Sequence, residues 1–130
     1  MPSTATLIAQ HPGWPNFSWS SLVCSHCSKR NPDPTFITFM DQIQVLRNNL
    51  GYPLVVTSAY RCPGHPLESV KAIAGQHSKV AIDLGVQGKQ AHEVLKEAFR
   101  MGFNGIGVQQ KGNGRFIHLD KRANPTVWSY

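Results

Sequence analysis

Apolar positions recur at three- and four-residue spacing through Phe36, Phe39, Met40, Ile43, Leu46 and Leu50, which predicts an amphipathic helix over about 35–49 with Gly51 as its stop. A β-branched run follows over 53–58 and predicts a buried strand, then a Pro/Gly loop through Ala59, Tyr60, Arg61, Cys62, Pro63, Gly64, His65 and Pro66. Residues 67–75 fit either one helical turn or a loop wall. A second strand is expected over 79–86, ending near Gly85. The next helix is expected over 90–101, with Ala91, Val94, Leu95, Ala98 and Phe99 inward and Gly102 closing it. Residues 104–109 and 115–120 read as strands joined by the turn Lys111-Gly112-Asn113-Gly114.

Upstream, Pro2, Pro12, Gly13 and Pro15 forbid a continuous helix, so residues 1–16 read as an irregular arm pinned by Trp14 and Phe17. Residues 17–130 form the domain. A short helix starts beyond Phe17, with Ser18 as its N-cap. Trp128 and Tyr130 are expected to pack back on the body. The sum is an α+β domain: a small, mostly antiparallel sheet with helices packed on one side.

Hydrophobic content of 41% and charged content of 15% over 130 residues suit one globular domain with a real core. No apolar run approaches the roughly 20 residues of a membrane span, and no basic and apolar leader precedes Gln10, so cytoplasmic synthesis without a signal peptide is expected. The net charge of +6 favours polyanionic partners such as cell-wall polymers. Lys and Arg are scattered, without a basic helix, so specific nucleic-acid binding is not expected. The three cysteines, Cys24, Cys27 and Cys62, are too few and odd for a paired disulfide framework. Cys24-Ser25-His26-Cys27 has the form of half a zinc knuckle, but no second Cys pair follows, so small buried thiols are the expectation.

Two short runs carry chemistry. Gln76-His77-Ser78-Lys79-Val80-Ala81-Ile82-Asp83-Leu84 sets an imidazole six positions before a carboxylate inside an apolar segment. Phe116-Ile117-His118-Leu119-Asp120 sets another imidazole and carboxylate in a second one. A buried charge needs a partner or a metal. Two His and one Asp converging from strands would hold zinc with an open fourth position.

The order of these motifs resembles the D-alanyl-D-alanine carboxypeptidase-like zinc peptidases, which include phage L-alanyl-D-glutamate endolysins and share a fold with the Hedgehog signalling domain. The resemblance rests on Val56-Thr57-Ser58-Ala59-Tyr60-Arg61-Cys62-Pro63, on Gln76-His77 with Ala81-Ile82-Asp83, on Gly105-Ile106-Gly107-Val108 and on Phe116 to Asp120 with Arg122. It implies His77, Asp83 and His118 as zinc ligands, and Arg61, Ser58 and Gln76 as the substrate-binding residues. It also implies a peptidoglycan peptide as substrate, cut by a D,D-carboxypeptidase or an endopeptidase. Asp120 shares a strand face with His118 and is the candidate general base. A monomeric phage or prophage enzyme acting at the bacterial wall, in lysis or on a virion, fits this profile. Three positions depart from the pattern: Ala59 stands where a Gly is usual before the Tyr-Arg pair, a mild change, and two others weigh more. His77 and Asp83 are six apart where relatives have seven, and Arg115 stands where many carry an acid. These motivate a non-catalytic wall-peptide-binding or phage structural module as the alternative.

Overall fold

The computed structural model describes residues 11–66 and 79–130. The ambiguous segment 67–75, and with it Gln76 and His77, lies outside them. The elements in order are α1 (Trp19–Leu22), α2 (Thr35–Leu50), β1 (Val56–Ser58), β2 (Ala81–Leu84), α3 (Gly88–Met101), β3 (Gly105–Gln109), β4 (Phe116–Asp120) and β5 (Thr126–Ser129). The strands form one five-stranded sheet in the order β1-β2-β4-β3-β5, antiparallel except where β5 runs parallel to β3. The α+β architecture is as expected.

α2 forms where the apolar spacing placed it, and buries Phe36, Phe39, Met40, Ile43, Gln44 and Leu46. Burying each large apolar chain stabilises the fold by about 1.5–3 kcal/mol. The helix ends at Gly51, whose left-handed backbone lets its N–H reach the Arg47 carbonyl. Its start is held by Asp33, whose Oδ1 accepts the Thr35 N–H at 2.9 Å and the Thr35 hydroxyl at 2.6 Å. Gln44, the buried polar residue of this helix, is satisfied by Asn16 Oδ1 at 2.7 Å and Asn48 Oδ1 at 2.9 Å. That bond ties the chain before α1 to the core. Trp14 is tied there too: it is 0% exposed, and its indole N–H donates to Asp41 at 2.8 Å. The end of the arm is thus pinned to the core at Trp14.

Alternation along the strands assigns two faces. Ile82, Leu84, Ile106, Ile117 and Leu119 turn to the helical side and join Phe36, Ile43, Val94 and Ala98 in the main core. Asp83, His118, Asp120, Gly105 and Gly107 occupy the opposite face by the same alternation.

Three local expectations change, and the tail, expected to pack back on the body, does so as a strand. β1 is an edge strand of half-exposed residues, with Val55 63% exposed before it, because it pairs on one side only. Phe99 is 60% exposed, since three small or medium residues, Ala91, Val94 and Ala98, fill the interface of α3. Ser18 sits at the N-cap of α1, but its hydroxyl bonds the Ser20 and Ser21 hydroxyls and not a backbone N–H. The tail forms a strand: Val127 pairs with Ile106 and Trp128 with Gly107.

Asp33→Ala should destabilise the protein by about 1 kcal/mol in chemical denaturation, the usual worth of such a cap. Thr35 holds the Asp33 carboxyl below its ordinary value through its hydroxyl and N–H. The stabilisation is therefore present above the unfolded-state value near 3.8 and is lost as pH falls through the lower folded one. The gap between variant and parent should close in strong acid.

Candidate active site

A single row of residues crosses the whole sheet. Ser58 on β1 pairs with Asp83 on β2, Asp83 with His118 on β4, His118 with Gly107 on β3, and Gly107 with Trp128 on β5. Strand register alone therefore brings the carboxylate and the imidazole together, from positions far apart in sequence. His118 Nδ1 lies 3.0 Å from Asp83 Oδ1, and Nε2 lies 2.7 Å from Asp120 Oδ2. His118 is 3% exposed and Asp120 0%. Asp120 also accepts three bonds from Arg122: the backbone N–H at 3.0 Å, Nε at 2.9 Å and Nη2 at 2.7 Å. Arg122 in turn lies 4.5 Å from the Trp128 ring, whose centroid is 5.0 Å from that of His118.

The packing depends on two missing side chains. A Cβ on Gly105 would stand 1.9 Å from Asp120 Oδ1, and one on Gly107 would stand 2.7 Å from the Trp128 indole. β3 therefore offers bare backbone where the carboxylate and the indole must come down beside His118.

Burial acts to lower the His118 pKa, but its hydrogen bonds to the Asp120 and Asp83 carboxylates, reinforced by their charges, raise it overall. Burial acts to raise that of Asp120, and the bonds from His118 and Arg122 outweigh it, holding the carboxyl well below the usual carboxylate range. The cluster is thus a hydrogen-bonded chain, Asp83–His118–Asp120–Arg122, buried at its centre.

Arg61 lies three residues beyond Ser58, and its Nη1 approaches the Ser58 hydroxyl at 3.5 Å. Both line a cleft of roughly 660 Å³, shared with Thr57, Tyr60, Cys24 and His65. A second cleft, of roughly 360 Å³ between Asp33 and Arg122, includes none of the expected site residues. Tyr130 reaches the site face from the tail. Burial raises its phenol above the ordinary value and the nearby Asp83 carboxylate adds to this, against a hydrogen bond from Trp128 and the charges of Arg61 and Arg122.

The family model described as peptidase M15 matches residues 15–120. The chain belongs to the peptidase M15 family. No curated protein matches it. M15 enzymes are zinc-dependent metallopeptidases, and the matched segment contains Ser58, Arg61, Gln76, His77, Asp83, His118 and Asp120. Arg122, Trp128 and Tyr130 lie beyond it.

The described residues fit the family's metal. Imidazole nitrogen and carboxylate oxygen are donors of the kind that hold catalytic zinc. Two such donors about 2.0 Å from one tetrahedral zinc stand about 3.3 Å apart, close to the 3.0 Å between His118 Nδ1 and Asp83 Oδ1. Asp120 on the far nitrogen supplies the carboxylate that metal-binding histidines commonly lean on.

Of the expected site residues, Asp83, His118 and Asp120 come together, and Ser58 and Arg61 stand beside them at the end of β1. Gln76 and His77 are outside the described residues. Arg115 is clear of the cluster, bonded to the Gly112 carbonyl in the hairpin turn at 3.0 Å. Sequence reasoning missed Trp128 and Tyr130 as site residues. The signal for Trp128 was the glycine alternation of β3, which strips one face of a strand and leaves room for a large ring.

Gly105→Ala should displace the Asp120 carboxylate. Overpacking of this kind costs about 1–3 kcal/mol. The expected result is a lower melting temperature together with a shifted His118 ring resonance by NMR; an unmoved ring would mean that the close approach of Asp120 to β3 does not position it.

Proposed function

We propose that this M15 chain is a zinc-dependent peptidase that hydrolyses peptidoglycan cross-link peptides. It would act as a D,D-carboxypeptidase or an L-alanyl-D-glutamate-type endopeptidase, in a phage or prophage lysis or virion setting at the bacterial wall. Residues 17–130 would be the peptidase unit, active as a monomer. The observation that carries the reading is the Asp83–His118 pair: two zinc-type donors on neighbouring strands, backed by Asp120, in a chain of this family.

His77, Asp83 and His118 would hold the metal. Zinc held there would supply Lewis-acid polarisation of a peptide carbonyl and a more acidic water. Asp120 fixes the ring orientation of His118 through Nε2, and Arg122 neutralises Asp120. With both carboxylate oxygens engaged behind the imidazole, Asp120 serves as a positioning residue and not as the general base that strand alternation suggested. Arg61, whose fork is always charged, would bind a peptide carboxylate or a developing oxyanion, steadied by Ser58, with Gln76 lining the same cleft. The Tyr130 phenol, near Asp83 and Arg61, would close the other side of that cleft. The net positive charge would draw the protein to an anionic wall.

The test is release of new amino or carboxyl termini from purified peptidoglycan by zinc-loaded protein. His118→Ala and Asp83→Ala should abolish it. Asp120→Asn should weaken zinc about 10–100-fold without removing the binding stoichiometry. Arg61→Lys should raise KM more than it lowers kcat. Weak or absent zinc binding at this site with no turnover of any wall peptide would instead favour the wall-peptide-binding or phage structural module, in which the six-residue His77-to-Asp83 spacing impairs the metal site.

A further inference from the structure

Away from the His118 cluster, three sulfurs converge. Cys24 and Cys27 lie in the turn that follows α1, and Cys62 in the loop that follows β1. Their Sγ atoms all lie within 4.8 Å of one another, and none of the three forms a disulfide. Sulfurs bound to one tetrahedral zinc at about 2.3 Å would be about 3.8 Å apart, so only a small contraction separates the cluster from that geometry.

The turns around the sulfurs have a common form. In the first, the Ser28 N–H bonds the Cys24 carbonyl at 2.7 Å and the Cys24 N–H bonds the Lys29 carbonyl at 3.0 Å. Ser28 is left-handed at φ 60°, the one non-glycine with positive φ among the described residues, which lets the chain double back over Cys24. Backbone N–H groups of Cys62, at 3.3 Å, and of Cys27 and His26 point at Cys24 Sγ. In the second turn, Cys62-Pro63-Gly64-His65, the His65 N–H bonds the Cys62 carbonyl at 2.9 Å and the Gly64 N–H points at Cys62 Sγ. Main-chain donors from both turns thus point at Cys24 Sγ, and the second turn folds its own backbone around Cys62, so the two turns hold the three sulfurs together.

A Cys-x-x-Cys turn therefore faces a Cys-x-x-His turn. The ring of His65 lies beside the first: its Nε2 is 3.2 Å from the Ser25 hydroxyl, and a turn of the ring away from Ser25 would bring it to the three sulfurs. We propose that Cys24, Cys27, Cys62 and His65 form a structural zinc site of the Cys₃His type, separate from the His118 cluster. Four protein ligands close the coordination sphere, so this ion holds structure and has no position for substrate. Cys62 follows Arg61 directly, so the ion clamps the loop that carries Arg61 to the turn after α1. Cys24, Arg61 and His65 line the same cleft, and the clamp would set the position of that guanidinium.

Metal-free full-length protein, kept reduced, is titrated with cobalt(II), which reports thiolate ligation by a sulfur-to-cobalt charge-transfer band. The band is expected in the unmutated protein and in His118→Ala. It is expected to be lost in Cys62→Ser and weakened and shifted in His65→Ala, with His26→Ala unchanged. Zinc should shield all three thiols from alkylation, counted by mass, until a chelator removes it. Zinc content should fall by one equivalent in Cys62→Ser and, if the His118 site also binds, by a different one in His118→Ala. Absence of the band in the unmutated protein, or a disulfide among these cysteines under the same reducing conditions, would overturn the proposal. Loss of the band with His26→Ala in place of His65→Ala would overturn the assignment of the fourth ligand. Because the band and the thiol count come from the unmutated protein, a variant that fails to fold does not decide the matter, and an inactive His118 site leaves both readouts intact.

Discussion

A histidine and an aspartate cannot be buried in the middle of a sheet unless every polar atom finds a partner. An uncompensated ion in such a place costs several kcal/mol. Here His118 has a carboxylate on each ring nitrogen, and Asp120 spends its remaining acceptor capacity on Arg122. The need to satisfy that chain explains features that look unrelated along the sequence. It accounts for the bare backbone at Gly105 and Gly107, for a fifth strand that brings Trp128 over the imidazole, and for an arginine two residues past the end of β4.

The same chain sets the polarity of the site. Asp120 and Arg122 close the Nε2 side of the imidazole, and Asp83 meets its Nδ1 side. The row then continues to Ser58 at the sheet edge, where the chain turns into the Arg61 loop. Rigid strands fix the candidate metal donors, and a loop carries the candidate substrate contact. That loop needs an anchor of its own, and the cysteine turns beside it are built to supply one.

Much of this was legible in the sequence. The helices announced themselves by apolar spacing and glycine stops, and β2 and β4 by apolar runs carrying one ionisable residue in β2 and two in β4. The order of Ser58, Arg61, Asp83 and His118 pointed to the family before any geometry. Other features were hidden for physical reasons. Strand alternation puts Asp120 on the face of His118 but does not say which ring nitrogen it meets, so positioning and base roles look alike. Thr126–Ser129 is short and exposed, and only its pairing with the glycines of β3 makes it a strand. Cys62 is remote from Cys24 and Cys27, and a search for a second Cys pair passes over a turn whose second ligand is His65.

The most direct test of the central claim is a crystal structure of zinc-loaded protein with anomalous scattering at the zinc edge. The account predicts a peak beside the Asp83 and His118 side chains, with His118 Nε2 still held by Asp120 and Asp120 by Arg122. A peak on the Nε2 side with Asp120 displaced, or an intact Asp83–His118 hydrogen bond with no ion beside it, would contradict it.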